Sequence, residues 1–239
     1  FGIDFAQRKI AAHQAYYENM PISLQSLKLG LKGLASGADL RVFQSYQWGQ
    51  LAQLHVLDCR QYKDPQPCSF FERKNASIVK PNQCSDWYDD KRTMLGLAQE
   101  KWLDEQLKMA HQKPCVWNVL GQSTLFSQRN NGSVEQPQFF YDGWDAYSAN
   151  RQRIIDQVDQ YKVPNPVLLG GDVHENWIGH VKKSFNANKA SSANVAVEFC
   201  GGAADGGDFG VGGGVVGGGD QVGAFGDEFP ALYDDGAEG

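Results

Sequence analysis

Apolar residues along the chain recur with either helical or strand-like spacing. Spacing of three to four residues, with charged positions between, predicts three helices, at residues 4–19, 95–110 and 147–161. Short apolar runs predict five strands, at residues 40–48, 51–57, 115–120, 166–169 and 195–199, of which the first two fit a hairpin. Strands that alternate with helices indicate an α/β sandwich or layered fold.

Three of the predicted strands run directly into clusters of polar residues. The clusters begin at Asp58, Gly121 and Gly170. In α/β sheets, ligands bind just beyond the carboxyl ends of the strands, where the loops converge. We therefore expect these three loops to form the functional site.

The third cluster contains the side chains best suited to bind a metal. Asp172 and His174 lie two residues apart after a pair of glycines that let the backbone turn sharply. They offer a carboxylate oxygen and an imidazole nitrogen, which bind divalent or trivalent metals. The alternative is a turn in which Asp172 caps the backbone and His174 hydrogen-bonds locally.

Arg60 is the candidate for a phosphate contact. It follows a strand that is too apolar to be exposed, and a guanidinium there can bind two phosphate oxygens and offset charge in a transition state. The alternative is a structural ion pair on the surface, with Asp58 or Asp64 as the partner.

Ser123 raises the possibility of a different mechanism. A serine esterase that uses Ser123 and His174 stays open as an alternative, but position 125 is Leu where a nucleophile elbow needs glycine. The segment from Trp144 to Tyr147 is typical of a helix start with packed aromatic residues, and it is also a candidate wall of a substrate pocket.

Composition and charge exclude several classes of protein. The 239 residues have a net charge of -6, no basic cluster and no apolar run long enough to cross a membrane, so neither a nucleic-acid-binding patch nor a membrane span is predicted.

Residues 201–239 hold 15 of the 27 glycines, eight acidic residues and no Lys or Arg. We predict irregular chain there. A calcium-binding module is an alternative, although the glycines follow no regular calcium-binding repeat.

The five cysteines are too few and too scattered for a disulfide scaffold. Cys68 and Cys84 flank a polar stretch that a disulfide can close, and the sequence leaves open whether they pair. No Cys-x-x-Cys motif indicates a structural zinc site.

Taken in order, these segments resemble the PhoD-like alkaline phosphatase/phosphodiesterase family of metallophosphoesterases. The matching stretches are RKIAAHQAYYENMP at 8–21, LDCRQY at 57–62, RTMLG at 92–96, WNVL at 117–120, WDAY at 144–147, GDVH at 171–174 followed by Trp177, and EF at 198–199. The ordered series covers about residues 6–200 and is far more specific than any single stretch.

The resemblance implies an αββα sandwich with an iron- and calcium-containing centre. Phosphate mono- or diesters would be hydrolysed there by a metal-activated water, outside the cytoplasm. By the same resemblance, Asp172 and His174 are metal ligands, Arg60 is a catalytic residue that binds the phosphate, and Trp144 and Tyr147 are pocket residues.

Two departures from the family pattern lead to further expectations. The family's earlier metal-binding segments belong before Arg8, so we expect a catalytic domain that is incomplete at its N-terminus and needs an upstream segment of the same enzyme. A targeting segment is likewise expected outside this chain. At the other end, the family usually continues after residue 199 with Ser/Thr-rich residues. We therefore assign residues 1–200 to the catalytic domain and 201–239 to a Gly/Asp-rich irregular tail.

Overall fold

A computed structural model describes residues 5–20, 41–185, 192–202 and 213–216. The chain divides into two compact units, Phe1–Gln44 and Ser45–Gly239. In the first unit, helix α1 spans Phe5–Asn19. The helix predicted at residues 4–19 is confirmed, except that Asp4 lies outside the described residues.

In the described residues, the second unit is built on a mixed sheet of seven strands. In their order across the sheet these are β1 (Gln44–Trp48), β2 (Ala52–Val56), β4 (Trp117–Gly121), β6 (Pro166–Gly170), β8 (Asn194–Cys200), β7 (Asn176–Lys182) and β9 (Gly213–Val216). Strands β2, β4, β6 and β8 are parallel neighbours, and β7 returns antiparallel to β8. The α/β class and all five predicted strands are confirmed, except that the first begins at Gln44 and Leu40 lies outside the described residues.

Two long helices connect the parallel strands. Helix α3 (Gly96–Gln112) precedes β4, and helix α4 (Ser148–Gln160) precedes β6, so the helices predicted at residues 95–110 and 147–161 are confirmed. Smaller elements are helix α2 (Phe70–Arg73), a two-stranded sheet of β3 (Ile78–Val79) and β5 (Phe139–Phe140), and 3₁₀ turns at Pro81–Gln83 and Trp144–Tyr147.

The first turn of α3 is fixed by side chains outside the helix. The Oδ1 atom of Asn150 accepts hydrogen bonds from the backbone N–H groups of Met94, at 2.9 Å, and Leu95, at 3.2 Å. The Oγ1 atom of Thr93 accepts from the N–H of Gly96 at 2.9 Å. These bonds satisfy backbone donors that a helix start otherwise leaves open, and they tie α3 to α4. From there α3 buries Leu103, Leu107 and Ala110 on one face, as its periodicity predicts.

Two parts of the sheet differ from the sequence prediction. Strand β7 was not predicted, because Ile178 and Gly179 interrupt the alternation of apolar and polar residues along this segment. Residues 213–216, expected to be irregular, form β9 and pair with β7. Without β9, strand β7 would lie at the edge of the sheet with unpaired backbone N–H and C=O groups. A glycine-containing segment can pair with these groups without steric cost. Gly201 and Gly202 are irregular, as predicted, and residues 203–212 and 217–239 lie outside the described residues.

The disulfide between Cys68 and Cys84, which the sequence left open, is present. It closes the loop that contains α2 and β3. Cys59, Cys115 and Cys200 are free thiols and all three are buried. In the part of the chain that the structure describes, we find no helix with the length and apolar character needed to cross a membrane.

His55 lies on β2, next to the edge strand β1, and has no exposed surface. Its Nδ1 atom is 2.8 Å from the hydroxyl of Ser45, and its ring packs edge-on against Trp102. Burial lowers the pKa of His55 from 6.5 to about 4. The folded protein therefore keeps this ring neutral at pH values where the unfolded chain protonates it.

We expect His55 to make the protein less stable in mild acid. Because the folded pKa lies below the unfolded one, its contribution is present above pH 6.5 and is lost as the pH falls towards 4, by on the order of 3 kcal/mol. Urea unfolding of wild type and His55→Gln across this range should show that difference in slope. His111→Gln, at an exposed position, is the matched control. Equal slopes for wild type and His55→Gln would contradict the expectation.

Candidate active site

The three loops expected to form the site do lie at one edge of the sheet. Strands β2, β4 and β6 are adjacent and parallel, with Val56 opposite Gly121 and Gly121 opposite Leu169. The three strands therefore end at the same level. The loops that begin at Asp58, Gln122 and Gly171 leave the sheet side by side, as predicted.

The first loop is held in place by two buried groups. The carboxylate of Asp58 accepts the backbone N–H groups of Arg60, at 2.9 Å, and Gln61, at 3.0 Å. The Gln99 amide, which is also buried, accepts the N–H of Asp58 and donates to its carbonyl, both at 2.8 Å. Asp58 thus fixes the backbone of Arg60. The Arg60 guanidinium pairs with neither Asp58 nor Asp64, the two partners predicted by the alternative, because the carboxylate of Asp58 binds the turn and that of Asp64 accepts the N–H of Thr93.

The guanidinium of Arg60 instead joins the first loop to the third. One nitrogen lies 3.1 Å from Asp172 Oδ2, and another lies 3.4 Å from Asp142 Oδ2. Lys63 forms an ion pair with the other oxygen of Asp142. About half of the Arg60 side chain, 51%, remains exposed. An exposed pair of this kind contributes only about 0–1 kcal/mol, so a competing anion can take over the guanidinium at little cost.

The loop after β6 has an unusual backbone. Asp172 and His174 both have positive φ angles, 68° and 59°, in the left-handed region that residues other than glycine seldom adopt. Gly170 is tightly packed: a Cβ atom there would lie 2.3 Å from the carbonyl oxygen of Thr124. Such backbone conformations cluster at functional sites, where the surrounding structure holds them. The backbone of this loop therefore resembles that of a functional site, which agrees with the prediction for Asp172 and His174.

The donors at this edge fit a metal only in part. Asp172 offers a carboxylate oxygen and His174 an imidazole nitrogen, which suit the iron and calcium expected here. Among the residues that the structure describes, however, no group of three or more His, Cys, Asp or Glu side chains is arranged to hold an ion. The two residues can supply part of a coordination shell and need further donors to complete it.

The loop after β4 supports the site through amide and hydroxyl groups. The Oε1 atom of Gln122 accepts the N–H of Thr124 at 3.0 Å and the indole N–H of Trp144 at 2.9 Å. Ser123, the nucleophile of the alternative serine esterase, is exposed and hydrogen-bonds with the thiol of Cys59. Burial raises the pKa of Cys59 to about 11, so this thiol stays neutral.

Trp144 and Tyr147 lie in the 3₁₀ turn before α4 and are almost fully buried. The hydroxyl of Tyr147 donates to the carbonyl of Asp64 at 2.7 Å. Trp144 packs against Phe126, with ring centroids 4.9 Å apart, and also lines a cavity beside the site. The structure thus places Trp144 at a pocket wall and Tyr147 in the core behind it.

The cavity has a volume of about 350 Å³ and opens next to Asp172 and Val173. Its other walls come from the loop after β4, from the β3–β5 sheet and from the turn that contains Trp144. This volume is within the range of small-molecule pockets, about 300–1,000 Å³. Its position beside Asp172 makes it part of the candidate site.

Several residues of the site were not singled out by the sequence. Asp142 and Lys63 reach Arg60 from distant parts of the chain, and only the fold brings them together. Asp145, which lines the cavity, forms a buried ion pair with Arg151 at 2.7 Å. Burial raises the pKa of Asp145, and Arg151 opposes that shift. Asp145 and Arg151 are six positions apart in the sequence. An ion pair with this spacing can equally lie on the surface, so the sequence does not indicate that this pair is buried.

Glu198 on β8 binds the backbone of a segment that lines the cavity. It has no exposed surface, and its carboxylate accepts the backbone N–H groups of Phe126, at 2.6 Å, and Ser127, at 2.8 Å. Burial raises its pKa, and the hydrogen bonds from the chain at 126–127 oppose that shift. Glu198 thus fixes the segment that carries Ser127 and Arg129 into the cavity wall.

We expect Glu198→Leu to destabilise the protein by about 3 kcal/mol, because two buried N–H groups would lose their acceptor. Glu198→Gln keeps an acceptor oxygen of the same shape and should cost less. Chemical unfolding of both variants measures the difference. The control is Glu105→Leu at an exposed position of α3, for which a change within about 0.5 kcal/mol is expected. A Glu198→Leu variant as stable as this control would contradict the assigned role.

Comparison with known proteins identifies the family. The family model described as PhoD-like phosphatase matches residues 2–221 of the chain. This match covers nearly the whole sequence and includes all three loops of the candidate site. The chain belongs to the PhoD-like phosphatase family.

Two relatives illustrate the likeness. The chain is 36% identical over 199 residues to alkaline phosphatase D of Bacillus subtilis (strain 168), a match that covers 82% of the chain and 30% of that protein. It also matches the solved structure of PhoD with a TM-score of 0.69 and 35% identity, over 85% of the chain and 36% of that structure. The chain thus spans about a third of the length of each.

Proposed function

We propose that the protein hydrolyses phosphate monoesters or diesters, as an alkaline phosphatase/phosphodiesterase. The observation that carries the proposal is the pairing of Arg60 with Asp172 at the carboxyl ends of three parallel strands, in a chain that belongs to the PhoD-like family. A half-exposed arginine at a sheet edge where loops converge is suited to an anionic substrate.

Arg60 binds the phosphoryl group. Its guanidinium has donors in a fixed planar fork that matches two phosphate oxygens. Asp58 holds the backbone of Arg60, so the side chain is aimed at the same edge whether it contacts Asp172 or a substrate. Lys63 stays with Asp142 when Arg60 moves to the substrate, and so leaves no uncompensated carboxylate behind.

Asp172 and His174 are two ligands of an iron- and calcium-containing centre, and further ligands come from outside this pair of residues. When bound, such metals activate the attacking water and offset negative charge on the phosphoryl oxygens. If Asp172 held such a cation, the guanidinium of Arg60, which now pairs with Asp172, would be free to bind the substrate phosphate.

The wider proposal follows the family. The mixed sheet with its helices forms one part of a metallophosphoesterase-type αββα sandwich, in which residues 1–200 contribute to the catalytic domain. An upstream segment supplies the remaining ligands, and the enzyme acts outside the cytoplasm, in the extracellular space or the periplasm.

The test is hydrolysis of p-nitrophenyl phosphate and bis-p-nitrophenyl phosphate by the metal-loaded protein, before and after removal of metal with a chelator. We expect hydrolysis that a chelator abolishes and that added iron and calcium restore. Chelator-resistant activity together with fluorophosphonate labelling of Ser123 would instead favour the serine esterase. Calcium uptake without hydrolysis would favour a binding module.

A further inference from the structure

The cavity beside Asp172 has one apolar wall that is otherwise unexplained. Ile78 and Phe140 are direct cross-strand partners in the β3–β5 sheet, and both line the cavity. Each leaves 42% of its surface exposed, although both are large and apolar. Adjacent exposed apolar side chains at a concave site indicate a surface that a ligand covers.

The remaining lining combines three more apolar residues, Leu125, Trp144 and Val173, with polar side chains whose charges are balanced. Three charged side chains face the cavity, and each is paired with an opposite charge: Arg129 with Glu175 at 3.0 Å, Asp145 with Arg151 at 2.7 Å, and Asp172 with Arg60 at 3.1 Å. The cavity therefore carries no net charge to attract a second anion.

Arg129 is held in a fixed position in this wall. Its backbone N–H donates to Asp145 at 3.1 Å, and its guanidinium lies 4.7 Å from the centre of the Trp177 ring. The ion pair with Glu175 fixes the same guanidinium from another side. Arg129 is thus a fixed and charge-compensated part of the cavity lining, rather than a free cation.

From these features we infer that the cavity receives an uncharged, ring-bearing organic group of the phosphate ester. The phosphoryl group lies at Arg60, and the ring packs on Ile78 and Phe140 while polar groups such as Asn131 face its other side. This inference rests on the proposed function and adds a substrate class to it. Esters of small alkyl alcohols would leave the apolar wall uncovered.

Two phosphonates that cannot be hydrolysed separate the cavity from the phosphoryl site. We expect phenylphosphonate to bind the metal-loaded protein about tenfold more tightly than methylphosphonate, which corresponds to ~1.4 kcal/mol. In Ile78→Ala/Phe140→Ala, the affinity for phenylphosphonate should fall to that for methylphosphonate, which itself stays unchanged. A carboxylate added to the phenyl ring should weaken binding to wild type. Isothermal titration calorimetry measures all of these affinities.

Phe71→Ala is the matched control, because Phe71 is 87% exposed on α2 and does not line the cavity. It should keep the full preference for the phenyl ring. Equal affinity of wild type for the two phosphonates, or a preference that survives in the double variant, would overturn the inference. If wild type binds neither phosphonate, the proposed phosphoryl site itself fails. The two failures are therefore distinguishable.

Discussion

Asp172→Ala and His174→Ala are each expected to lower bound metal and the rate of ester hydrolysis together. Loss of a residue that only orients a metal ligand already costs about 10–100-fold in affinity or activity, so loss of a ligand should cost at least ~100-fold. The fold should persist, because Asp172 is about half exposed and His174 is exposed. Elemental analysis and hydrolysis of bis-p-nitrophenyl phosphate, measured on the same preparations, check both effects.

Asp159→Ala and His180→Ala are the matched controls for these two substitutions. Asp159 forms ion pairs with Lys162 and Lys183 at a distance from the site, and His180 is exposed on β7. Both controls should retain wild-type metal content and activity. If the Asp172 and His174 variants are folded and behave like these controls, the loop after β6 holds no metal and only shapes a turn.

Arg60→Ala is expected to reduce kcat/KM by about 100–1,000-fold, since it removes a cation aimed at the developing phosphoryl charge. Arg60→Lys keeps the charge but loses the planar fork, so its activity should lie between that of Arg60→Ala and wild type. Neither change should alter the free energy of unfolding by more than about 1 kcal/mol, because the ion pairs of Arg60 are half exposed. Steady-state kinetics and urea unfolding measure the two quantities.

Arg153→Lys is the control that tests whether loss of a planar guanidinium lowers kcat/KM when the arginine lies outside the candidate site. Arg153 binds both oxygens of Glu100 at 2.8 Å, away from the candidate site. We expect little kinetic effect from this control. A wild-type kcat/KM in Arg60→Lys would reduce Arg60 to a surface partner of Asp142 and Asp172.

The sequence predicted those parts of the fold whose signal is local. Apolar runs located β2, β4 and β6, and the polar residues directly after each run located the edge where the loops meet. Parallel pairing of these strands then brought Arg60 to Asp172 across 112 positions of sequence. The sequence predicted both residues as site residues but did not predict that they contact each other.

Features that depend on distant parts of the chain were missed. Strand β7 is stabilised by pairing with β8 and β9, and its own residues give no apolar pattern. Asp142 and Lys63 acquire a role only through the fold, because neither belongs to a distinctive motif. The cross-strand pair of Ile78 and Phe140 likewise lies in two strands of two residues each, too short for any periodicity to show.

The position of bound phosphate tests the account most directly. In a crystal structure of the metal-loaded protein with inorganic phosphate, we expect the anion at the carboxyl ends of β2, β4 and β6. It should lie within hydrogen-bond distance of the Arg60 guanidinium, with Asp172 turned from Arg60 towards a metal ion. Phosphate bound elsewhere, with the Arg60–Asp172 pair intact and no metal at Asp172 or His174, would contradict the account.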